Sequence, residues 1–423
     1  MPAKIAVEED WRFCDIPASR LSEHDYLLAV GNGRSYGDSC INENHAILST
    51  RRLNRLVSFD REQGLLHCES GVLFKDILEI IVPQGWYLPV VPGTQLVTVG
   101  GAIANDIHGK NHVGQGTFGC HVAEITLLRS DGQRLICSAE AHADLFFATI
   151  GGLGLTGLIV AAKVRLLPIA SGYMQVEVLP FATVQEYMQL TRESSSWPYT
   201  VAWVDCSRSK NVGRGLFTRG KFASNPRTSK PNTKSFRLAI PFQPPFGLVN
   251  RSSVTVFNKL YYAWELRKRR QTLWHETFFF PLDGVNHWNR IYGPNGFYQY
   301  QFVVPLEGAE EIIVQVIRQV AESGSGSFLA VLKDFGPIQS PGMLSFPREG
   351  LTLAVDVPNR GLATLNMLDK LDELILAGNG RLYPAKDARM PANVFQRQYP
   401  QWAVFEKLRD PMFSSTFWRR VTQ

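Results

Sequence analysis

The 423-residue chain has no run of about 20 apolar residues, the length a membrane-spanning helix needs. Its best apolar stretch, residues 150–162, is broken by four glycines and a threonine, so no transmembrane helix is expected. The start, MPAKIAVEEDWRF, has one early lysine, then acids, and no apolar core of the kind a secretory signal requires. A cytoplasmic protein, or one peripheral at the inner face of a membrane, is therefore expected. Cysteine is scarce: Cys14, Cys40, Cys68, Cys120, Cys137 and Cys206 form no CxxC pair and no metal-ligand spacing with the nine histidines. That argues against a disulfide scaffold and against a metal site, and the six read as reduced, mostly buried thiols. No internal repeat is evident. Charged residues make up only 19% against 45% hydrophobic, with 35 glycines and 24 prolines, the composition of an ordered, turn-rich globular protein.

One absence is local. Residues 207–264 contain no Asp or Glu but 11 Lys plus Arg; the stretch carries +11 against a chain total of +6, so the remainder carries −5. Such a basic, aromatic-rich segment suits nucleic acid, an anionic membrane face or a phosphate-bearing substrate. No helix-turn-helix, zinc module or RNP-like aromatic motif accompanies it, so nucleic acid is not expected as a partner.

The first ~165 residues alternate short apolar runs with turn signals. Strands are expected at 26–29, 46–49, 65–69, 122–128, 134–137 and 157–166, and helices at 73–81 and 141–150. Near residue 170 the texture changes to a proline-punctuated region with a long, poorly patterned basic loop. Beyond it strands are expected at 298–305, 328–332 and 351–357, and a helix at 308–323. An α+β protein follows.

Three glycine-rich segments carry chemistry. The first is Gly31-Asn32-Gly33-Arg34-Ser35-Tyr36-Gly37-Asp38-Ser39, directly after an apolar run. Its glycines let backbone amides approach a pyrophosphate, and its serines add hydroxyl donors. The spacing is not GxGxxG and no helix opens at the loop, which disfavours a nicotinamide-binding turn. An ordinary Gly-rich turn stays open for this loop alone. The second comprises Pro92-Gly93-Thr94, then Thr98-Val99-Gly100-Gly101-Ala102-Ile103-Ala104-Asn105 and Asp106-Ile107-His108-Gly109-Lys110, a loop expected to enter a tightly packed helix. The third is Ile150-Gly151-Gly152-Leu153-Gly154-Leu155-Thr156-Gly157, with Ile159 two residues on.

In this order the three segments resemble the FAD-linked oxidases of the vanillyl-alcohol-oxidase superfamily, which have a PCMH-type FAD-binding domain. HWNRIYGP (287–294), FYQYQFVVP (297–305), LKDFG (332–336) and GNGRLYPAKDAR (378–389) narrow the resemblance to the decaprenylphosphoryl-β-D-ribose 2′-oxidase family. The resemblance implies an FAD domain of two α+β subdomains built from residues 1–170 and 379–423. Between them, residues 171–378 are implied to form an antiparallel-sheet substrate domain. It implies oxidation of the 2′-hydroxyl of a polyprenylphosphoryl ribose to a keto sugar, which a partner short-chain reductase converts to the arabinose epimer.

Residue roles follow from the same resemblance. Lys386 matches the active-site lysine, although Tyr383-Pro384-Ala385-Lys386-Asp387 read alone is an exposed turn with a local ion pair. His108 matches a histidine near the ring, and an ordinary imidazole pKa of ~6.5 suits proton transfer; a structural histidine bonded to backbone is the alternative. Tyr36, Lys110, Trp203, Tyr292, Gln299, Gln301, Lys333, Phe335 and Thr352 match substrate-pocket positions. The glycine segments, with Ile159 and Tyr383, match positions that hold the flavin.

Two departures carry expectations. Relatives with a covalent flavin have a histidine after the second glycine of the first loop; Arg34 to Asp38 is read as placing Asp38 there, so FAD is expected to bind non-covalently. Where mycobacterial members have Asn, one residue and Cys, this chain has Thr352-Leu353-Ala354, so inhibitors acting through that cysteine are not expected to label it. Residues 250–280 hold Tyr261, Tyr262, Trp264, Arg267-Lys268-Arg269-Arg270, Trp274 and Phe278-Phe279-Phe280, a combination suited to an anionic lipid interface. A solvated charge run beside a core strand is the plainer alternative. A free alditol or aldonolactone is the rival substrate.

Overall fold

A computed structural model describes residues 8–10, 26–207, 212–225, 229–231, 238–245, 247–324 and 326–422. Cys14 and parts of the basic stretch (208–211, 226–228 and 232–237) lie outside them.

Residues 27–30 enter the fold as a short parallel strand. Leu27–Val30 pairs with Ala46–Ser49, which pairs in turn with Glu8–Asp10. The chain then builds a five-stranded antiparallel sheet in the order Leu56–Asp60, Leu65–Glu69, Leu158–Arg165, Val122–Leu128, Arg134–Cys137. The central Leu158–Arg165 is almost continuously buried, as a strand covered on both faces must be. Helix Phe74–Ile81 lays Phe74, Ile77, Leu78 and Ile81 into the core at helical spacing. The chain then turns at Pro83 and Gly85, whose left-handed φ of +81° a side chain would disfavour.

The second large element is an eight-stranded antiparallel sheet. Its order is Arg270–Trp274, Tyr173–Phe181, Gly215–Phe222, Tyr199–Val204, Ala330–Phe335, Gly350–Pro358, Phe297–Val304, Arg381–Leu382. Helices Val184–Glu193, Ala309–Glu322 and Leu362–Ala377 share a core with it that includes Tyr187, Val316, Ile317 and Leu371. Strand parity decides which residues meet those helices. Tyr300, Phe302 and Val304, Ala330 and Leu332, and Leu353, Val355 and Val357 belong to that core. The residues between them, Gln299 and Gln301, Val331 and Lys333, and Ala354 and Asp356, face the opposite way and line a cavity.

The C-terminal segment returns to the first strand. Leu27 donates its amide to the Met412 carbonyl at 2.7 Å, and Ser414 donates to the Leu27 carbonyl at 2.9 Å. Arg420 clasps both carboxylate oxygens of Asp38 at 2.8 and 2.9 Å.

The expected strands and helices are present with small shifts at their ends. The basic stretch is different from the expected loop. It contains strand Gly215–Phe222 and the 16-residue helix Arg251–Leu266, whose first turn is closed by a capping box of Asn250 and Ser253. Val254, Val256, Phe257, Leu260, Tyr261 and Trp264 cover about half of that helix and Tyr262 and Leu266 fall on the other half, so no single apolar stripe betrays its period. The aromatic cluster also divides. Trp274, Phe278, Phe279 and Phe280 are core residues, while Trp264 is 58% exposed. The first four are therefore corrected from an interfacial role to a packing one.

Cys68, Cys137 and Cys206 are buried and Cys40 and Cys120 half-buried, all as free thiols. Among the described residues no helix is long and apolar enough to cross a membrane.

Candidate active site

A cavity of about 1140 Å³ is bounded by the three glycine segments and the bare face of the eight-stranded sheet. The first loop is held open by its neighbours. Asn32 donates to the Leu96 carbonyl at 2.7 Å, and Tyr36 donates its amide to the Ala385 carbonyl at 2.9 Å. Gly33 has φ +57° and nothing within 4 Å of where a Cβ would stand, whereas a Cβ on Gly31 would meet the Thr98 hydroxyl at 2.2 Å. Thr98 caps helix Val99–Ala104 by accepting from the Gly101 amide at 3.2 Å. Gly31, Asn32, Gly33, Arg34, Ser35, Tyr36, Ser39, Pro92, Gly93, Thr94, Thr98, Gly100, Gly101, Ala104, Asn105, His108, Gly109, Gly157, Ile159 and Tyr383 all reach the cavity.

Five of the expected cofactor positions stand back from it. Gly37 lets the C-terminal segment approach, since a Cβ there would lie 1.6 Å from the Asp387 carbonyl oxygen. Asp38 turns toward Arg420. Val99 is fully buried, Gly151 packs on Ser345, and a Cβ on Gly152 would collide with the Ala148 carbonyl oxygen at 2.1 Å. The Asp38 expectation also needs correcting in detail. The residue after the second glycine, Gly33, is Arg34, so Asp38 says nothing about flavin linkage; what bears on it is that residues 31–39 contain no histidine.

The substrate-side wall is set by register. Gln299 lies opposite Asp356, and Gln301, Ala354, Val331 and Trp203 form one cross-strand row. Gln301 Nε2 lies 3.0 Å from His108 Nε2 and 3.2 Å from Thr352 Oγ1. An amide nitrogen donates, so the imidazole accepts at Nε2 and carries its proton on Nδ1, which has no partner among the described residues. Burial, reinforced by Lys333, His112 and Lys386, pushes the His108 pKa well below the ordinary value. His108 is thus neither a backbone-bonded histidine nor a group that titrates near neutrality.

Lys386 is not an exposed turn residue. Its ammonium donates to Gln299 Oε1, lies 4.1 Å from the centre of the Tyr36 ring, and is lowered to a pKa of about 8 by burial, with Asp356 opposing. Burial, then Lys386, lowers Lys333 to about 7. Burial, then Lys333, lowers Lys110 to about 7; its ammonium donates to the Phe278 carbonyl and sits 4.3 Å over the Phe278 ring. Trp203 lines the wall and donates its indole N–H to the Phe328 carbonyl at 3.0 Å. Tyr292, Phe335 and Thr352 support the wall from behind. Tyr292 stacks on Phe297 at 4.3 Å, Phe335 packs between His108 and His112, and Thr352 receives the Gln301 hydrogen bond.

Asp356 and Asp283 were missed by the sequence reading. Asp356 is 1% exposed, accepts from Gln299 Nε2 at 2.7 Å, and is raised to about 7, chiefly by burial. An acid in the strand LTLAVDVP, whose one other polar side chain is Thr352, was the available signal. Asp283 accepts from the Thr94 hydroxyl at 2.6 Å and the Gln95 amide at 2.9 Å, locking the second glycine segment. Asp106, at φ +40°, buries its carboxylate against the Gly119 amide and the hydroxyls of Ser340 and Ser345, which ties the His108 loop to the connection between strands Ala330–Phe335 and Gly350–Pro358.

A sequence profile described as an FAD binding domain matches residues 21–138. The decaprenylphosphoryl-β-D-ribose oxidase of Mycolicibacterium smegmatis is 36% identical over 412 residues, 93% of this chain and 89% of that one. The chain belongs to that family. An uncharacterised Streptomyces coelicolor protein is 32% identical over 82% of this chain and 98% of its own length. The L-gulonolactone oxidase of Mus musculus is 30% identical over only 36% of this chain and 34% of its own. The fold is the α+β, PCMH-type FAD-binding architecture of the vanillyl-alcohol-oxidase superfamily, and the protein is an FAD-dependent oxidoreductase.

The residues present fit FAD. Ser39 Oγ and Ser70 Oγ are buried at the cavity wall with no partner among the described residues, and Gly33 and Gly93, with nothing within 4 Å of where a Cβ would stand, leave backbone accessible at the same wall. Free hydroxyls among exposed amides are what a pyrophosphate and a polar ring edge require.

Proposed function

We propose that this enzyme oxidises the 2′-hydroxyl of a polyprenylphosphoryl ribose to a keto sugar, with a short-chain reductase completing the epimerisation to arabinose. The observation that carries this reading is the convergence of Lys386, Gln299, Gln301 and His108 on one wall of the cavity, with Lys110 and Lys333 beside them. Residues 1–170 and 379–423 hold the cofactor and residues 171–378 hold the sugar.

Bound FAD supplies the acceptor for the hydride leaving the oxidised carbon. The chain does the rest. Gln301 spends both amide hydrogens on His108 and Thr352, so its Oε1 is left to accept from a sugar hydroxyl. His108 orients that amide and stays neutral. Lys386 offers N–H donors to the oxygen on which charge develops. Lys333, with a pKa of about 7, is able to take the hydroxyl proton at neutral pH. Lys110 adds positive charge for a phosphate, and Trp203 walls the sugar.

The lipid part of the substrate suits the cavity's edge. Tyr261 and Glu265 line the cavity from helix Arg251–Leu266 and Lys268 from just beyond its end, while the helix's outer side exposes Val256, Leu260 and Trp264 beside Lys259 and Arg267. Four-residue spacing puts those three apolar side chains in one row among cations, as at an anionic lipid surface. Co-sedimentation with anionic but not neutral vesicles is expected, and equal recovery with both removes the membrane contact.

Turnover tests the substrate. Anaerobic reduction of the enzyme's flavin by polyprenylphosphoryl ribose, with the keto sugar identified, is expected; reduction only by free alditols or aldonolactones overturns the reading. The limited span of the lactone-oxidase match disfavours that second class.

A further inference from the structure

Asp356 stands on strand Gly350–Pro358 directly across from Gln299 on Phe297–Val304. Its Oδ1 accepts from Gln299 Nε2 at 2.7 Å, and its Oδ2 lies 3.5 Å from the Tyr292 hydroxyl. The other end of the Gln299 amide, Oε1, accepts from the Lys386 ammonium. A carboxylate only accepts and an ammonium only donates, so an amide between them satisfies both in one orientation. Reversed, its NH2 would face the ammonium and its carbonyl the carboxylate, two repulsions at an enclosed site.

We infer that Asp356 is a positioning residue for Lys386: it fixes the direction of the Gln299 amide, and the amide in turn holds the ammonium against Tyr36 at the cavity wall. The consequence for turnover rests on the oxidation proposed above; the positioning itself does not.

The groups around the pair agree with this arrangement. Tyr292 and Gln299 face Asp356 from the protein side, and Lys386 reaches it only through the amide. Lys333, on strand Ala330–Phe335, feels Lys386 as a like charge, while Tyr36 offers its ring face to the Lys386 ammonium. Burial favours loss of the Lys386 proton, and the buried carboxylate is the opposing charge. Without Asp356 the amide is free to turn, and Lys386 loses both its acceptor and its counter-charge.

The test reads Lys386 itself. FAD-loaded enzyme is pulse-labelled with acetic anhydride across a pH series, and the Lys386 peptide is quantified by mass spectrometry to give that lysine's titration. Asp356→Asn keeps the shape of the side chain and is expected to lower the Lys386 midpoint by about one pH unit. Gln299→Leu is expected to do the same. Adding Asp356→Asn to Gln299→Leu is expected to shift the midpoint by less than it does in the wild-type background, because with the link already cut only the charge is left to lose. An unchanged midpoint in Asp356→Asn, or fully additive shifts in the double variant, overturns the inference; additivity would mean that Asp356 acts through space. If Asp356→Asn does not fold, Gln299→Leu alone decides, and an unmoved Lys386 sinks the idea. In turnover, Asp356→Asn is expected to lower kcat about tenfold with KM little changed, as loss of positioning does. A wild-type enzyme that fails on polyprenylphosphoryl ribose removes the proposed substrate but leaves the lysine titration to judge Asp356.

Discussion

Gln301 Nε2 sits 3.0 Å from His108 Nε2, a contact that makes the buried imidazole an acceptor and fixes its proton on Nδ1. Two residues 193 positions apart thereby fix the tautomer of the wall's histidine. His108, with its pKa well below the ordinary range, stays neutral throughout the working pH. Anaerobic flavin-reduction rates are expected to show no inflection belonging to His108 near pH ~6.5. His108→Gln is expected to lose rate by a similar factor at every pH; a variant that abolishes a pH inflection present in the wild type would sink this assignment.

In the proposed reaction Lys386 donates to the reacting oxygen, and replacing it by Met removes that donor. A loss of at least about 100-fold in the flavin-reduction rate constant is expected, with flavin content retained. Stopped-flow absorbance checks it, and a loss below about threefold contradicts the role given to this lysine.

Three cations with lowered pKa values give stability a particular pH dependence. Lys110 and Lys333 are lowered to about 7 and Lys386 to about 8, against an ordinary lysine value of about 10.4. Above the folded values the unfolded chain binds more protons, so the stability of cofactor-free protein rises with pH from about 7 to about 8.5. Beyond that, buried thiols such as Cys68, raised to about 12, pull the other way. The melting temperature is expected to climb across this window, and Lys333→Met to flatten the climb. A falling melting temperature contradicts it.

The first glycine loop depends on the C-terminus. Arg420 binds Asp38 and Asp387 at 2.8 Å each, both carboxylates largely buried. Arg420→Ala is expected to destabilise the protein by about 3 kcal/mol and to lower FAD occupancy after gel filtration, because two buried acids lose their partner. The FAD itself should leave on acid precipitation, since no histidine stands in the loop. Flavin retained in the pellet would show a covalent bond.

Ala354 lines the cavity opposite Gln301. Intact-mass measurement after treatment with inhibitors that react with the cysteine of mycobacterial relatives is expected to show no adduct, and Ala354→Cys to gain one. Labelling of the wild type within this pocket contradicts it.

What the sequence settled by itself was local. Glycine spacing, apolar alternation and caps depend on a few neighbouring residues, so the loop at 31–39, the helix entered at Thr98 and the strands carrying Gln301 and Ala354 could be read directly, while the strand expected at 328–332 stopped one residue short of Lys333. Helix Arg251–Leu266 escaped because its apolar residues are spread around it, and packing against Val178 and Trp203 rather than periodicity selects its inner face. Tertiary structure alone decided the chemistry of the wall. Cross-strand register set Asp356 opposite Gln299, chain return set Arg420 on Asp38, and burial among like charges neutralised His108 and brought Lys333 near neutrality. Pairing and protonation are properties of a shared, desolvated space, and no short stretch of sequence contains that space.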